Sequence, residues 1–243
     1  DFGMRAFKLL RTLVDEGKND LFIVGDAHQR IYGHKVVLGQ CEINVRGRSK
    51  KLKLNYRTTD EIRKWAVALF NGENIDDLDE GTDSNRDYKS LYNGPKPEVK
   101  NFETFDEEVT YIHQYIENIK KTDNESKICL VVRTQKLVDV YSDYFSKSNM
   151  KTIKISRNSK DDLSNTDVRI ATMHRVKGLD FDHVIIASMN KGIVPLETIE
   201  KSDEDLINSE NLQKEKSLVF VAATRAKKSL LVTSYGITSE ILR

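Results

Sequence analysis

The chain has 243 residues, 38% hydrophobic and 32% charged, and its 39 Lys and Arg against 38 Asp and Glu leave a formal net charge of +1. That apolar content supports a core and a globular rather than a disordered chain, while the near-neutral balance excludes polyanion attraction by the molecule as a whole, leaving nucleic-acid contact to local clusters of Lys and Arg. No stretch approaches the roughly 20 apolar residues of a membrane span, and Cys41 and Cys129 lack metal-ligand spacing, so the expectation is a reduced, cytoplasmic protein with no metal site and no membrane partner.

Phe2, Ala6, Leu9, Leu10 and Leu13 recur at helical spacing, and Leu21-Phe22-Ile23-Val24 reads as a short buried strand ending at Gly25-Asp26. Arg46, Arg48, Lys50, Lys51, Lys53 and Arg57 fall in a stretch without an acid, either a solvated loop or a surface that faces phosphate. Leu52 and Leu54 alternate with lysine before Tyr56-Arg57. Thr58 with Glu61 predicts a capping box opening a helix with Ile62, Trp65, Ala66, Leu69 and Phe70 on one face. Arg57 is thereby placed at a strand-to-helix junction, and in open α/β sheets such junctions, at the carboxyl ends of strands, form the ligand crevice. Residues 72–96 read as a long polar connection.

Beyond it, Pro97 to Phe102 predicts a strand, and Thr104 with Glu107 a second capping box before Val109, Ile112, Ile116 and Ile119. Ile128 to Val132 is the continuous apolar run of a doubly covered strand. Leu137, Val138, Tyr141, Tyr144 and Phe145 mark another helix. Thr152 to Ile155, Val168 to Met173 and His183 to Met189 are further strands; Leu212 to Ala226 predicts a helix and Leu230 to Thr233 a final strand. The alternation argues for a parallel α/β sheet with helices on both faces.

Several polar residues punctuate this frame. The Gln29 amide both donates and accepts, which suits reading a phosphate oxygen and aligning a water. Arg57 and Arg225 present planar forks that match phosphate, and Arg225 follows the small apolar run Phe220-Val221-Ala222-Ala223-Thr224, where a charge is costly unless it points into a cleft. Lys177-Gly178 combines positive charge with close backbone approach. Asp180 can accept from a ribose hydroxyl or act as a cap, His174 can meet a phosphate or close the core, and Tyr56 can stack on a purine or pack beside the strand end.

Taken in order, VGDAHQRIYG, LNYRTTDEI, ATMHRVKGLDF with the following DHVIIASMNKGIVP, and VFVAATRAKKSLLVT resemble motifs III, IV, V and VI of the UvrD/Rep-type superfamily 1 DNA helicases. The resemblance implies residues 1–45 as the end of a first RecA-like domain and 46–243 as a second RecA-like (P-loop NTPase-type) domain. Asp1-Phe2 is similar to the tail of the family's Asp-Glu-x-x-Asp segment, which makes the chain part of something longer.

The resemblance implies ATP with Mg2+ as cofactor, with Gln29 at the γ-phosphate, Tyr56 beside the base, Arg57 and Arg225 as arginine fingers, and Gly178 and Asp180 near the nucleotide. On the other side it implies single-stranded DNA or a DNA junction against Tyr32, His34, Thr172 and His174. The phosphate loop, the magnesium ligands and the water-activating glutamate are implied to lie in a partner N-terminal RecA-like domain, so this chain alone is expected not to hydrolyse ATP. Three features depart from the pattern. Gly33-His34-Lys35 replaces an aromatic-arginine pair, Asp180 stands where glutamate is usual, and the stretch between Arg57 and His174 is too short for the family's inserted domain. A helicase-like binding or regulatory module without turnover, and an unrelated nucleotide-binding α/β protein, are the alternative readings.

Overall fold

The computed structural model describes residues 2–31, 36–71, 88–156, 166–197 and 205–242. Its centre is a six-stranded sheet built from β3 (Glu98–Phe102), β4 (Ile128–Val132), β5 (Thr152–Lys154), β6 (Val168–Thr172), β7 (Phe181–Ile186) and β8 (Ala226–Tyr235). The spatial order is β3-β8-β7-β4-β6-β5 and every pairing is parallel. This is the helix-covered parallel α/β sheet expected from the alternation of strands and helices.

Period-2 alternation divides the strands between two cores. Ile128, Leu130 and Val132 of β4, Ile170 of β6, Ile185 of β7 and Leu231 of β8 face α3 (Phe105–Thr122) and α4 (Gln135–Lys147), which contribute Val109, Ile112 and Ile116, and Val138, Tyr141 and Phe145. Cys129, Val131, Val184, Ile186, Leu230 and Val232 point the other way, onto α5 (Asp205–Ala223) and α2 (Asp60–Ala68). With both faces covered, β4 is buried along its whole length, which explains its unbroken apolar run.

The predicted capping box at Thr104 forms in full, the Thr104 hydroxyl accepting from Glu107 N while the Glu107 carboxylate accepts from the backbone of Glu103 and Thr104. The first predicted box is corrected by one residue. Thr59 caps α2, accepting from Ile62 N, while the Thr58 hydroxyl accepts from the Asn55 amide and Glu61 accepts from Gly94 N. The extended backbone runs one residue further than the box predicted, because β1 (Leu54–Thr59) pairs in parallel with β2 (Lys89–Tyr92) as far as Thr59. Ala226, expected on the last helix, instead opens β8, because pairing with Phe181 draws it into the sheet. The strand predicted over His183 to Met189 begins and ends earlier, as β7.

Gly94 lies where β1 approaches β8. A Cβ there would come 2.5 Å from the Thr59 Cγ2 methyl and 3.3 Å from the Lys228 carbonyl oxygen. Gly94→Ala is therefore expected to destabilise by about 1–3 kcal/mol through overpacking, read by chemical denaturation; a change below about 0.5 kcal/mol, the level of a bland surface substitution, contradicts that close approach.

The N-terminal segment departs most from expectation. Helix α1 (Met4–Leu13) forms as predicted but is capped by Gly3 without a side-chain bond. Residues 21–24 are not a strand. They keep the alternation, since Leu21 and Ile23 pack with Phe7 and Val45 on a small cluster of Val36, Leu38, Cys41 and Ile43, while Phe22 and Val24 are 94% and 76% exposed. A strand is defined by its ladder, and among the described residues no strand pairs with this one. Arg11 and Arg48 meet at Asp20, and Arg11 chiefly holds that carboxyl well below the usual range. No described helix is long and apolar enough to cross a membrane.

Candidate nucleotide and nucleic-acid site

Arg225 turns the corner between α5 and β8, and Asp180 immediately precedes β7, with Phe181 N donating to the Arg225 carbonyl at 2.9 Å. Both side chains thus lie at the amino rim of the sheet. The carboxyl-end crevice expected at the Arg57 junction does not include this pair, because each belongs to the connection that delivers the chain into the start of a strand. Thr172 ends β6 and His174 follows it at the opposite, carboxyl rim. The loop between crosses the sheet face, anchored by buried Met173 and Val176.

Arg225 is only 2% exposed. Nε donates to the Val221 carbonyl at 3.0 Å, Nη1 to the Leu179 carbonyl at 3.4 Å, and Nη2 to Gln29 Oε1 and Thr224 Oγ1, both at 3.3 Å. Gln29 and Arg225, far apart in sequence, are therefore in contact. The Gln29 amide nitrogen donates to Asp26 at 2.7 Å, and Lys177 Nζ donates to the Gln29 carbonyl at 2.9 Å. His28 fastens this turn to the core, stacking on Phe220 and meeting Phe70 edge-on while its backbone N donates to Asp26.

Arg57 is exposed on β1, its backbone N donating to Asn55 Oδ1 at 2.8 Å, and Tyr56 beside it is 66% exposed. The Arg57 charge reaches the same cluster. Burial first, and Arg57 second, lower the Arg225 pKa to about 10. Burial and then Arg225 push the Lys177 ammonium down, and Asp26 opposes them. Asp180 is held low chiefly by its ion pair with Lys227, with Arg57 contributing. At Asp26 burial pushes up, but the His28 and Gln29 contacts offset it and the carboxyl ends below its ordinary value.

The cations Arg57, Lys177, Arg225 and Lys227 thus outnumber the carboxylates Asp26 and Asp180 around one partly buried rim. Repulsion at the desolvated Arg225 and Lys177 is relieved by an anion, and guanidinium forks suit phosphate oxygens. These residues fit the terminal phosphates of a nucleotide. Gly178, with φ of +88° and open space where a side chain would project, lets backbone approach from the same loop. Among the described residues no group of His, Cys, Asp and Glu is arranged to hold a metal.

At the carboxyl rim His174 is half-buried, and burial followed by Arg133 lowers its pKa, with Glu215 opposing. Tyr32 and His34 lie outside the described residues. Reasoning from sequence missed Asp26, Lys227, Arg133 and Glu215. Arg133 stands directly after the apolar run of β4, which was a usable signal; Glu215, flanked by Lys214 and Lys216, reads as a solvated helix face and gave none. The basic run near Arg46 is exposed as expected, with Arg48 diverted to Asp20 and the Lys18 carbonyl.

Comparison with known proteins places the chain among helicase sequences. Over 66 residues, 27% of this chain, the sequence is 39% identical to ATP-dependent DNA helicase Rep of Buchnera aphidicola subsp. Schizaphis graminum, and over a match of the same length it is 38% identical to DNA helicase II of Rickettsia typhi. Each match spans 9% of the relative's length, so the chain corresponds to a small part of those proteins. The crystal structure of the C-terminal domain of a possible DNA helicase from Lactobacillus plantarum WCFS1 superposes with a TM-score of 0.55 at 16% identity, over 77% of this chain and 92% of that one, a likeness of fold. The UvrD-like helicase C-terminal domain family matches residues 50–159 and 151–236, most of the sequence, and the chain belongs to that family.

Proposed function

We propose that the chain is the second motor lobe of an ATP-dependent DNA helicase or translocase. In this reading residues 46–243 form the lobe and residues 1–45 complete a first RecA-like lobe that supplies the phosphate loop, the Mg2+ ligands and the water-activating glutamate. The observation that carries it is the meeting of Arg225, Gln29 and Lys177 at one rim, with the charge of Arg57 acting on Arg225 and Asp180 there. Arg225, held by carbonyls and steered by Gln29, and Arg57, approaching from β1, neutralise charge that builds on the terminal phosphate. Asp180 and Gly178 line the approach and Tyr56 flanks the base. Thr172 and His174, joined to that rim by one loop, contact single-stranded DNA together with Tyr32 and His34. ATP bound with Mg2+ supplies the free energy, and closure of the two lobes moves the strand grip relative to the first lobe. Because the phosphate loop is assigned to the partner lobe, the chain alone is inactive.

The test is ATP turnover of the protein that joins this chain to its phosphate-loop lobe, with and without single-stranded DNA. Turnover that DNA stimulates supports the motor; strand binding without turnover supports the regulatory module instead. The chain by itself is expected to bind single strands weakly. With about three phosphates neutralised by the exposed basic run from Arg46 to Lys53, a fourfold rise in salt should weaken binding about 20-fold. Tight binding indifferent to salt, in a titration at two ionic strengths, contradicts a strand path along that run.

A further inference from the structure

The two rims are linked by an ion pair that the motor reading leaves unused. Arg133 follows β4, whose odd-numbered residues Cys129 and Val131 face the α5 side, so it emerges on that side too. Its guanidinium grips Glu215 of α5 with both prongs, Nη2 to Oε1 at 2.6 Å and Nε to Oε2 at 2.9 Å. Glu215 is buried and shares the inner face of α5 with buried Val219 and Ala222 at helical spacing. The neighbouring strand is in register: Val132 pairs with Thr172, and Met173 N donates to the Val132 carbonyl at 2.9 Å. His174 is thereby set beside the pair, and the charges of both Arg133 and Glu215 act on it.

From Glu215 the helix runs on to Ala223, and Arg225 leaves from its end. At a rise of about 1.5 Å per residue, about 12 Å of one continuous helix runs from Glu215 to Ala223, and a two-residue turn then carries the phosphate-facing arginine. A two-pronged pair fixes orientation as well as distance. Buried pairs contribute little net stability compared with apolar packing, whereas fixing one arrangement of elements is a use to which they are suited.

We propose that Arg133–Glu215 is a positioning contact that locks the carboxyl rim of β4 and β6 to α5, so that a strand engaging Thr172 and His174 shifts Arg225 through one rigid helix. The inference rests on the motor reading above. Neither residue touches nucleotide or DNA; each acts through its neighbours.

Glu215→Gln and Arg133→Lys in the full-length protein test it, with three readouts: ATP turnover without DNA, turnover at saturating single strand, and strand affinity. The expected result is DNA-free turnover within about twofold of wild type, strand affinity within about threefold, and DNA-stimulated turnover reduced about tenfold or more, the scale of a typical coupling between sites. The exchanged pair Arg133→Glu with Glu215→Arg should recover part of the stimulation. An equal fall in both turnovers, showing a purely structural pair, overturns the proposal, as does full stimulation in the folded variants. Arg133→Lys, which keeps the charge and loses the fork, gives the reading should Glu215→Gln fail to fold. A wild-type protein with no DNA-stimulated turnover overturns the motor reading itself; a stimulated wild type with equally stimulated variants overturns only this inference.

Discussion

Arg225→Ala in the protein that joins both lobes is expected to lower DNA-stimulated ATP turnover by about 10³ to 10⁵, the range over which an arginine finger acts. The residue also has a structural share. Its guanidinium donates to the Val221 and Leu179 carbonyls, and removing it leaves Val221 with only the Thr224 hydroxyl and takes a donor from partly buried Leu179, at a cost of about 1 kcal/mol. Turnover must therefore be compared at a temperature where the variant is folded. Arg57→Ala is the cleaner companion, because Arg57 is exposed and the bond it shares with Asn55 is made by its backbone. It should keep the unfolding midpoint while turnover falls steeply. Arg225→Lys should recover little, since an ammonium keeps the charge but not the fork. Undiminished turnover in folded Arg225→Ala removes the finger assignment, and with it the function assigned to the rim.

Glu108→Ala is expected to have the largest effect on stability. Glu108 is fully buried in the first turns of α3. Its carboxylate accepts from the Tyr141 hydroxyl at 2.6 Å, from Ser188 N at 3.0 Å and from the Ser188 hydroxyl at 3.5 Å. Truncation leaves Ser188 N without an acceptor and the Tyr141 and Ser188 hydroxyls with only their mutual bond at 2.8 Å, and it opens a void between α3, α4 and the exit of β7, for a combined cost of about 3–5 kcal/mol. For a chain of this size that corresponds to a fall in melting temperature of roughly 10 °C. Ser188 itself sits at φ of +57°, a conformation disfavoured for a side-chain-bearing residue, and the bond from its backbone N to Glu108 helps hold it there. Glu108→Gln, which keeps one accepting oxygen, should cost less. Burial, and after it the Glu108 carboxylate, holds the Tyr141 hydroxyl well above its ordinary pKa, so the network keeps its tyrosine proton through neutral and mildly alkaline pH. A melting temperature within about 2 °C of wild type for Glu108→Ala, a shift worth under about 1 kcal/mol, contradicts this account.

Much of this molecule is legible in its sequence. The run Ile128 to Val132 announces a doubly covered strand, Thr104 and Glu107 announce the start of α3, and four motif blocks in order announce the family. Those features depend on neighbours along the chain or on residue types that tolerate few settings. Leu21 to Val24 misleads for a related reason: its composition suits a strand, but a strand also needs a partner that local pattern does not supply. Thr58 and Glu61 satisfy the spacing of a capping box, yet the pairing of β1 with β2 carries the extended backbone to Thr59.

Local pattern determined the periodicities and hence the parallel α/β sheet, and motif order determined the kinship with UvrD-like helicase C-terminal domains. Tertiary structure alone decided that Gln29, Lys177 and Arg225 meet at the amino rim, that Lys227 engages Asp180, and that Arg133 reaches across to Glu215. The reason is physical. Hydrophobic periodicity records which face of an element is buried, whereas the meeting of charged groups depends on which strand ends are adjacent, and parallel crossovers bring together residues far apart in the chain.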